Sequence, residues 1–271
     1  MEFLMYRLQR FRSKGLGLCV SAFLCGCQQA GPSGSLNSIP TPNAARIVNA
    51  NAAKITGTLR ASGSVVGYYT TPQGRRRNYQ AEGTLFYLAP HYFRFDLKSL
   101  GERQVLLGSN ADSFWFFSKQ DDSYYCANQG SGDDLPTEVP VRPDQVIDAL
   151  ALAPIGDIDS VSLNPNNQGR FRLEKEYWTD GGTPEVIRRV VFRDRAGTVR
   201  MQSELDKYVP LSPDGPLLPR SMTAHWPTAR AQMRFRVDKW TLVEQVRPGG
   251  PQFATPPECI TNERAGRPTG K

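Results

Sequence analysis

The sequence predicts a mainly β chain: one large antiparallel sheet that curls, with few helices. Three observations carry this. Several segments alternate apolar and polar residues with a period of two. Turn signals recur between them. Only two short stretches carry apolar residues at helical spacing.

The clearest strand is "HYFRFDLK", in which His91, Phe93, Phe95 and Leu97 face one way and Tyr92, Arg94, Asp96 and Lys98 the other. A period of two marks a sheet with one apolar face. "RFRLEKEY" repeats it with Phe171, Leu173 and Tyr177, "TVRMQSEL" with Val199, Met201 and Leu205, and "AQMRFRVD" with Met233, Phe235 and Val237. "PQG" at 72–74, "AP" at 89–90, "GSNAD" at 108–112, "DGG" at 180–182, "RAG" at 195–197 and "SPDG" at 212–215 separate the runs. The count is about eleven strands, in runs over 54–127 and 169–244. One helix is expected over 43–53, with Ala44, Ile47, Val48 and Asn51 on one face. Another is expected over 143–152. Pro143 suits its first position, Asp144 its positive dipole end, and Val146, Ile147 and Leu150 form its apolar stripe. Pro154 and Gly156 would stop it. A sheet this large curls because strands twist and closure hides edges. Its apolar face is then either filled with side chains or left as a greasy cavity, and periodicity does not separate the two.

Before this domain lies an address. Gly15 to Leu24 is weakly polar or apolar and follows Arg7, Arg10, Arg12 and Lys14. The run is too short to span a bilayer, which needs about 20 apolar residues, and the order basic, apolar, small reads as an export signal. Leu24-Cys25-Gly26-Cys27 resembles a bacterial lipobox. It implies cleavage after Gly26 and acyl chains on Cys27, which would anchor the chain, each buried CH₂ contributing about 0.8 kcal/mol. The alternative is ordinary signal cleavage with Cys27 left as a thiol. By resemblance to lipoproteins of two-membrane bacteria, in which an Asp at this place favours the inner membrane, Gln28 leans towards the outer membrane facing the periplasm. Residues 27–42, rich in Gly, Ser and Pro, read as a flexible tether, 43–260 as one domain and 261–271 as a loose tail.

The formal charge of +7 includes three net charges on residues 1–26, leaving +4 after cleavage, a mild excess and no nucleic-acid footprint. Arg75-Arg76-Arg77 marks a hairpin tip, either a solvated turn or a contact for anionic head groups. With Cys27 acylated, Cys126 and Cys259 remain, and in an oxidising compartment they are expected to pair. Two unrelated buried thiols are the alternative.

Catalysis is not expected. His91 and His225 are the only histidines and sit in structural contexts. No Gly-x-Ser-x-Gly turn, His-Glu-x-x-His or phosphate-binding glycine loop occurs, nor a Cys-x-x-Cys after residue 27. Asp121-Asp122 and Asp133-Asp134 are adjacent pairs; neighbours on a strand point opposite ways, so neither forms a dyad. No cofactor or metal is required.

The layout resembles the LolA/LolB lipoprotein-carrier superfamily. It has a helix, a run of strands, a middle helix and more strands. The stretch "YFRFDLKSLGERQVLLGSNADSFWFF", with its Ser99-Leu100-Gly101 turn, is similar to a LolB segment, and the close around Phe253 and Pro256-Pro257 to LolA ends. The resemblance implies a half-open antiparallel β-barrel lidded by short helices, whose apolar cavity takes the acyl chains of lipoproteins. Candidates for the cavity wall are Phe93, Phe95, Leu97, Met201, Met233 and Phe235. Leu100 falls on the turn where LolB-type receptors present an exposed leucine to the membrane; folding back on the core is the alternative. Leu211 with Leu217-Leu218 is either a rim contact or an edge cover. Arg60, Arg94 and Arg103 are candidates for the family's lid-bonding arginine, none compelling. The competing function is an envelope scaffold or sensor with a packed barrel that meets a protein partner.

Overall fold

A computed structural model describes residues 41–70, 74–120, 122–128, 142–155, 174–179, 184–194, 196–228 and 230–259. Outside them lie the export signal, Cys27, Gln28 and most of the tether, Asp121, the pair Asp133-Asp134, Gly156, Phe171 and Leu173, the turn at 180–182 and the tail 261–271. The described residues belong to one compact unit, 36–271.

The chain runs α1 (Thr41–Ala52), β1 (Thr58–Thr70), β2 (Arg76–Leu88), β3 (Tyr92–Ser99), β4 (Glu102–Ser109), β5 (Ser113–Ser118), β6 (Ser123–Asn128), α2 (Pro143–Ala149), β7 (Glu174–Thr179), β8 (Ile187–Arg193), β9 (Val199–Pro210), β10 (Leu217–Trp226) and β11 (Ala231–Val243). Eleven strands form one sheet in the order β6-β5-β4-β3-β2-β1-β11-β10-β9-β8-β7. All pairs are antiparallel. Two meanders, β1–β6 and β7–β11, are joined where the first strand pairs with the last. Among the described residues β6 and β7 are the two outermost strands, and the sheet is not closed. This is the half-open antiparallel architecture with few helices that the sequence predicts.

Alternation decides the faces. Leu59, Leu85, Tyr87, Phe93, Phe95, Met201, Leu218, Phe235 and Val237 point inward and join one buried cluster. Ala44 and Val48 of α1, Val146 and Ile147 of α2, and Leu150 just past its end belong to the same cluster, so both helices cover the inner face. Gly83 of β2 lets it pack closely: a Cβ there would meet Val65 at 2.9 Å and the rings of Phe235 and Phe95 at 3.1 and 3.2 Å. Those two rings meet at 5.1 Å, tilted.

The helix boundaries differ from expectation. α1 starts at Thr41, two residues inside the expected tether, with Pro42 tolerated in the first turn. α2 stops at Ala149, three residues early. Ala151 takes a left-handed φ of 52°. Its N–H donates to Asp148 O at 2.9 Å and that of Leu152 to Ile147 O at 3.2 Å. This is a Schellman end closed by alanine rather than glycine, reached before Pro154 is needed.

After β11 a C-terminal strap crosses the outer face. Thr58 Oγ1 donates to Val246 O at 2.8 Å, Asn110 Nδ2 to Thr255 Oγ1 at 3.0 Å, and the rings of Tyr92 and Phe253 meet at 5.6 Å. Its end covers a second, smaller apolar cluster of Leu106, Trp115 and Cys259. There Cys126 and Cys259 form a disulfide with Cα atoms 5.6 Å apart, joining β6 to the strap.

Candidate ligand site under the helices

Asparagine is a poor helix former, yet α1, "TPNAARIVNANA", contains three. Two of them hold the helix down. Asn49 Nδ2 donates to Ile155 O at 2.8 Å, and Ile155 N–H donates back to Asn49 Oδ1 at 2.7 Å. Asn51 Nδ2 donates to Leu217 O at 2.9 Å, and Leu217 N–H donates to Asn51 Oδ1 at 2.7 Å. Each carboxamide thus pairs with both the N–H and the C=O of one residue, as a neighbouring strand would. The first ties α1 to the segment after α2, the second to the start of β10.

Between α1 and the strands it covers lies a cleft of about 240 Å³. Ile47, Val48, Leu150, Val186, Ile187 and Leu217 supply its apolar lining. Arg46, Lys54 and Glu185 supply its charges. Its volume falls short of the roughly 300–1,000 Å³ typical of ligand pockets. A second cleft of about 250 Å³ lies beside α2, with Ile147, Phe114 and Pro143 facing Asp148 and Lys175.

Asp148 is the polar element of the α2 roof. It is half-buried, its side chain 15 % exposed, and ion-paired with Lys175 of β7. Burial pushes its pKa up, and the Lys175 charge and hydrogen bond pull it back only partly. Tyr87 and Tyr177, buried nearby, are raised first by burial and further by the Asp148 charge. Ser203 of β9 closes the helix end by donating to Ala149 O at 2.9 Å.

The six expected wall residues lie together on the inner face but do not border either cleft. Phe93 and Phe235 are 0 % exposed and Met233, the most exposed, 8 %. With Phe95, Leu97 and Met201 they are packed against one another and the helices. As placed, they lie inside the buried core that also includes residues of α1 and α2. The cleft lies instead at the flank, over β8 and β10.

Leu100 is fully exposed at the tip of the β3–β4 hairpin, with a φ of 52° beside Gly101 at 82°. It does not fold back on the core. Leu218 is buried, Leu217 lines the cleft, and Leu211 packs against the main cluster, so this loop is an edge cover as well as a rim. Arg60, Arg94 and Arg103 all lie on the outer face and none bonds α1. The residues missed were Asn49 and Asn51. Asn51 was placed on the covered face, but no sequence signal names the distant backbone groups that the two carboxamides meet.

His91 is exposed, its carbonyl accepting from Ser109 Oγ at 2.6 Å, and His225 lies on β10 opposite Gln202 and Gln232. Among the described residues no group of three or more His, Cys, Asp or Glu could hold a metal ion. No described helix is long and apolar enough to cross a membrane.

No protein-family model matches the chain, and no curated protein matches it. Solved structures that it is similar to include a DUF1329 family protein from Desulfovibrio piger, at 7 % identity and TM-score 0.49, covering 77 % of this chain and 95 % of that one. A domain named for outer-membrane lipoprotein sorting, from Vibrio parahaemolyticus, has 8 % identity and TM-score 0.46 over the same shares. A LolA superfamily protein from Nitrosomonas europaea has 10 % identity and TM-score 0.41 over 75 % and 95 %. Likenesses this distant do not extend to a ligand or a partner.

Proposed function

We propose that the chain is a non-catalytic lipoprotein of the bacterial envelope that binds acyl chains, or lipidated proteins, beneath its helices. The observation that carries the reading is the roof. Among the described residues two short helices cover the apolar face of an open sheet, and four amide hydrogen bonds from Asn49 and Asn51 pin one of them. With α1 closed, the 240 Å³ cleft is too small for a lipid tail. Displacing α1 would add the face now under Ala44 and Val48. Each Å² of tail then removed from water contributes about 25 cal/mol.

Cys27 would carry the covalent anchor and residues after it the tether, placing the domain close to a membrane, by the Gln28 argument the outer one facing the periplasm. No cofactor and no nucleic acid take part. Metabolic labelling with a clickable fatty acid tests the anchor: the wild type takes label, and Cys27→Ala takes none. Equal labelling removes the anchor.

The ligand reading is tested by titrating the full chain with a fluorescent C16 fatty acid. Removing both carboxamides in Asn49→Ala/Asn51→Ala deletes bonds contributing about 0.5–1.5 kcal/mol each. The double variant is expected to bind at least as tightly as wild type and faster, because the roof opens more often. No binding by either protein would discard the carrier. The burial of Phe93, Phe95 and Phe235 favours a second reading, a solid scaffold that meets an envelope protein partner, and that outcome would select it.

A further inference from the structure

The outer face of the sheet carries a concavity that acyl binding leaves unused. Register aligns Arg60, Phe86 and Arg94 in one row across β1, β2 and β3, Thr84 beside Asp96 in the next, and Glu82 beside Lys98 in the third. Their neighbours Leu59, Leu85, Phe93 and Phe95 point inward, so these side chains all point out. The strap passes at Pro251 and Gln252 and walls off a groove of about 420 Å³ over the rows.

Charge in the groove is unbalanced. Asp96 is fully engaged: Arg103 donates from Nε and Nη2 to its two oxygens at 3.0 Å each, and Arg94 Nη2 adds a bond at 3.1 Å. The second nitrogen of Arg94 reaches only Gln252 O, at 3.5 Å. Arg60 lies over the Phe86 ring at 5.8 Å. Among the described residues neither Arg60 nor Lys98 is ion-paired with a carboxylate, and exposed Glu82, opposite Lys98, is the one further acid in these rows. Four cations thus meet two acids. Arg60 and Arg94 flank an aromatic face, and Asp96 fixes the Arg94 fork.

We propose that this groove binds a phosphate-bearing anion, its phosphate held by Arg60, Arg94 and Lys98 and the attached organic group over Phe86. Guanidinium forks match phosphate oxygens, and the groove is larger than inorganic phosphate needs. The site is separate from the acyl cleft and stands without it. Two sources share this chemistry, a free phosphate ester and a lipid head group.

The test has two arms. Glycerol 1-phosphate is titrated calorimetrically into the full chain. The full-length Cys27→Ala chain is floated with phosphatidylcholine liposomes, alone or with equimolar phosphatidylglycerol. Arg60→Gln/Lys98→Gln, at exposed positions that leave Asp96 paired, is the probe, with a thermal melt to confirm folding. Arg46→Gln, at the other cleft, is the control. Each lost charge-assisted contact is expected to weaken binding about tenfold, and added salt weakens what remains. Glycerol-phosphate binding lost in the double variant supports the site with a free ester. Flotation that requires phosphatidylglycerol and is lost in the double variant, without ester binding, supports it with a lipid head group. Absence of both, or binding that the folded double variant retains, overturns it.

Discussion

Two aspartates, Asp96 buried and Asp148 half-buried, are pushed in opposite directions, and each makes a prediction with its own sign. Asp148 is raised above its ordinary 3.8, chiefly by burial. Between that value and the raised one the native chain binds more protons than the unfolded chain. Stability therefore falls as pH rises through this window, and the loss persists above it. At Asp96 burial also acts upward, but the hydrogen bonds and charges of Arg103 and Arg94 prevail and hold it below 3.8. Its contribution is complete above the ordinary value and is lost as pH falls through the lowered one. Urea melts from acid to neutral pH check both. Asp148→Asn is expected to flatten the decline above the ordinary carboxylate range with little loss at neutrality. Asp96→Asn is expected to cost about 1–3 kcal/mol at neutrality, less than a fully buried pair because its arginines are partly exposed. A neutral-pH loss for Asp148→Asn matching that of Asp96→Asn would contradict the assignment. Leu100 belongs to the same scale. A fully exposed leucine on a strained tip contributes nothing to the core, so Leu100→Glu is expected to leave the melting temperature unchanged. If the tip meets a bilayer, the substitution abolishes cargo delivery to liposomes while ligand binding survives; unchanged delivery would remove that role.

Among the elements, the strap is held most firmly. Cys126 and Cys259 are 133 residues apart, and closing such a loop stabilises by about 5 kcal/mol at most on the chain-entropy account. Cys126→Ser/Cys259→Ser is expected to melt well below wild type under oxidising conditions and near it after reduction of both. Identical oxidised melts would mean that the strap adds nothing. Strands were the most legible elements, because a period of two names the inward residue at every step: Phe93, Phe95, Leu97, Met201, Met233 and Phe235 are all inward, as read. What a strand's pattern does not name is its neighbour. Nothing in "TLRASGSVVGYYT" says that it pairs with "AQMRFRVDKWTLV", and that pairing of β1 with β11 joins the halves. Whether inward residues line space or fill it was equally hidden, since it depends on where α1 and α2 come to rest. The asparagine clasp was hidden for a third reason. Asn51 was read as part of an apolar face, and its peptide partner lies 166 residues away.

At the scale of the molecule, the proposed function combines an apolar sheet face, a light roof and an acyl anchor on Cys27, which together would hold lipid near a membrane. The clasp is central to that proposal: four hydrogen bonds to the backbone of Ile155 and Leu217 hold α1 down, each contributing about 0.5–1.5 kcal/mol. Native mass spectrometry of the full chain, extracted from membranes in mild detergent and compared with its denatured mass to separate covalent lipid, tests this most directly. The account predicts a non-covalent adduct of one acyl-bearing molecule, more abundant in Asn49→Ala/Asn51→Ala. A bare chain in both proteins, with added fatty acid still unbound, would contradict it.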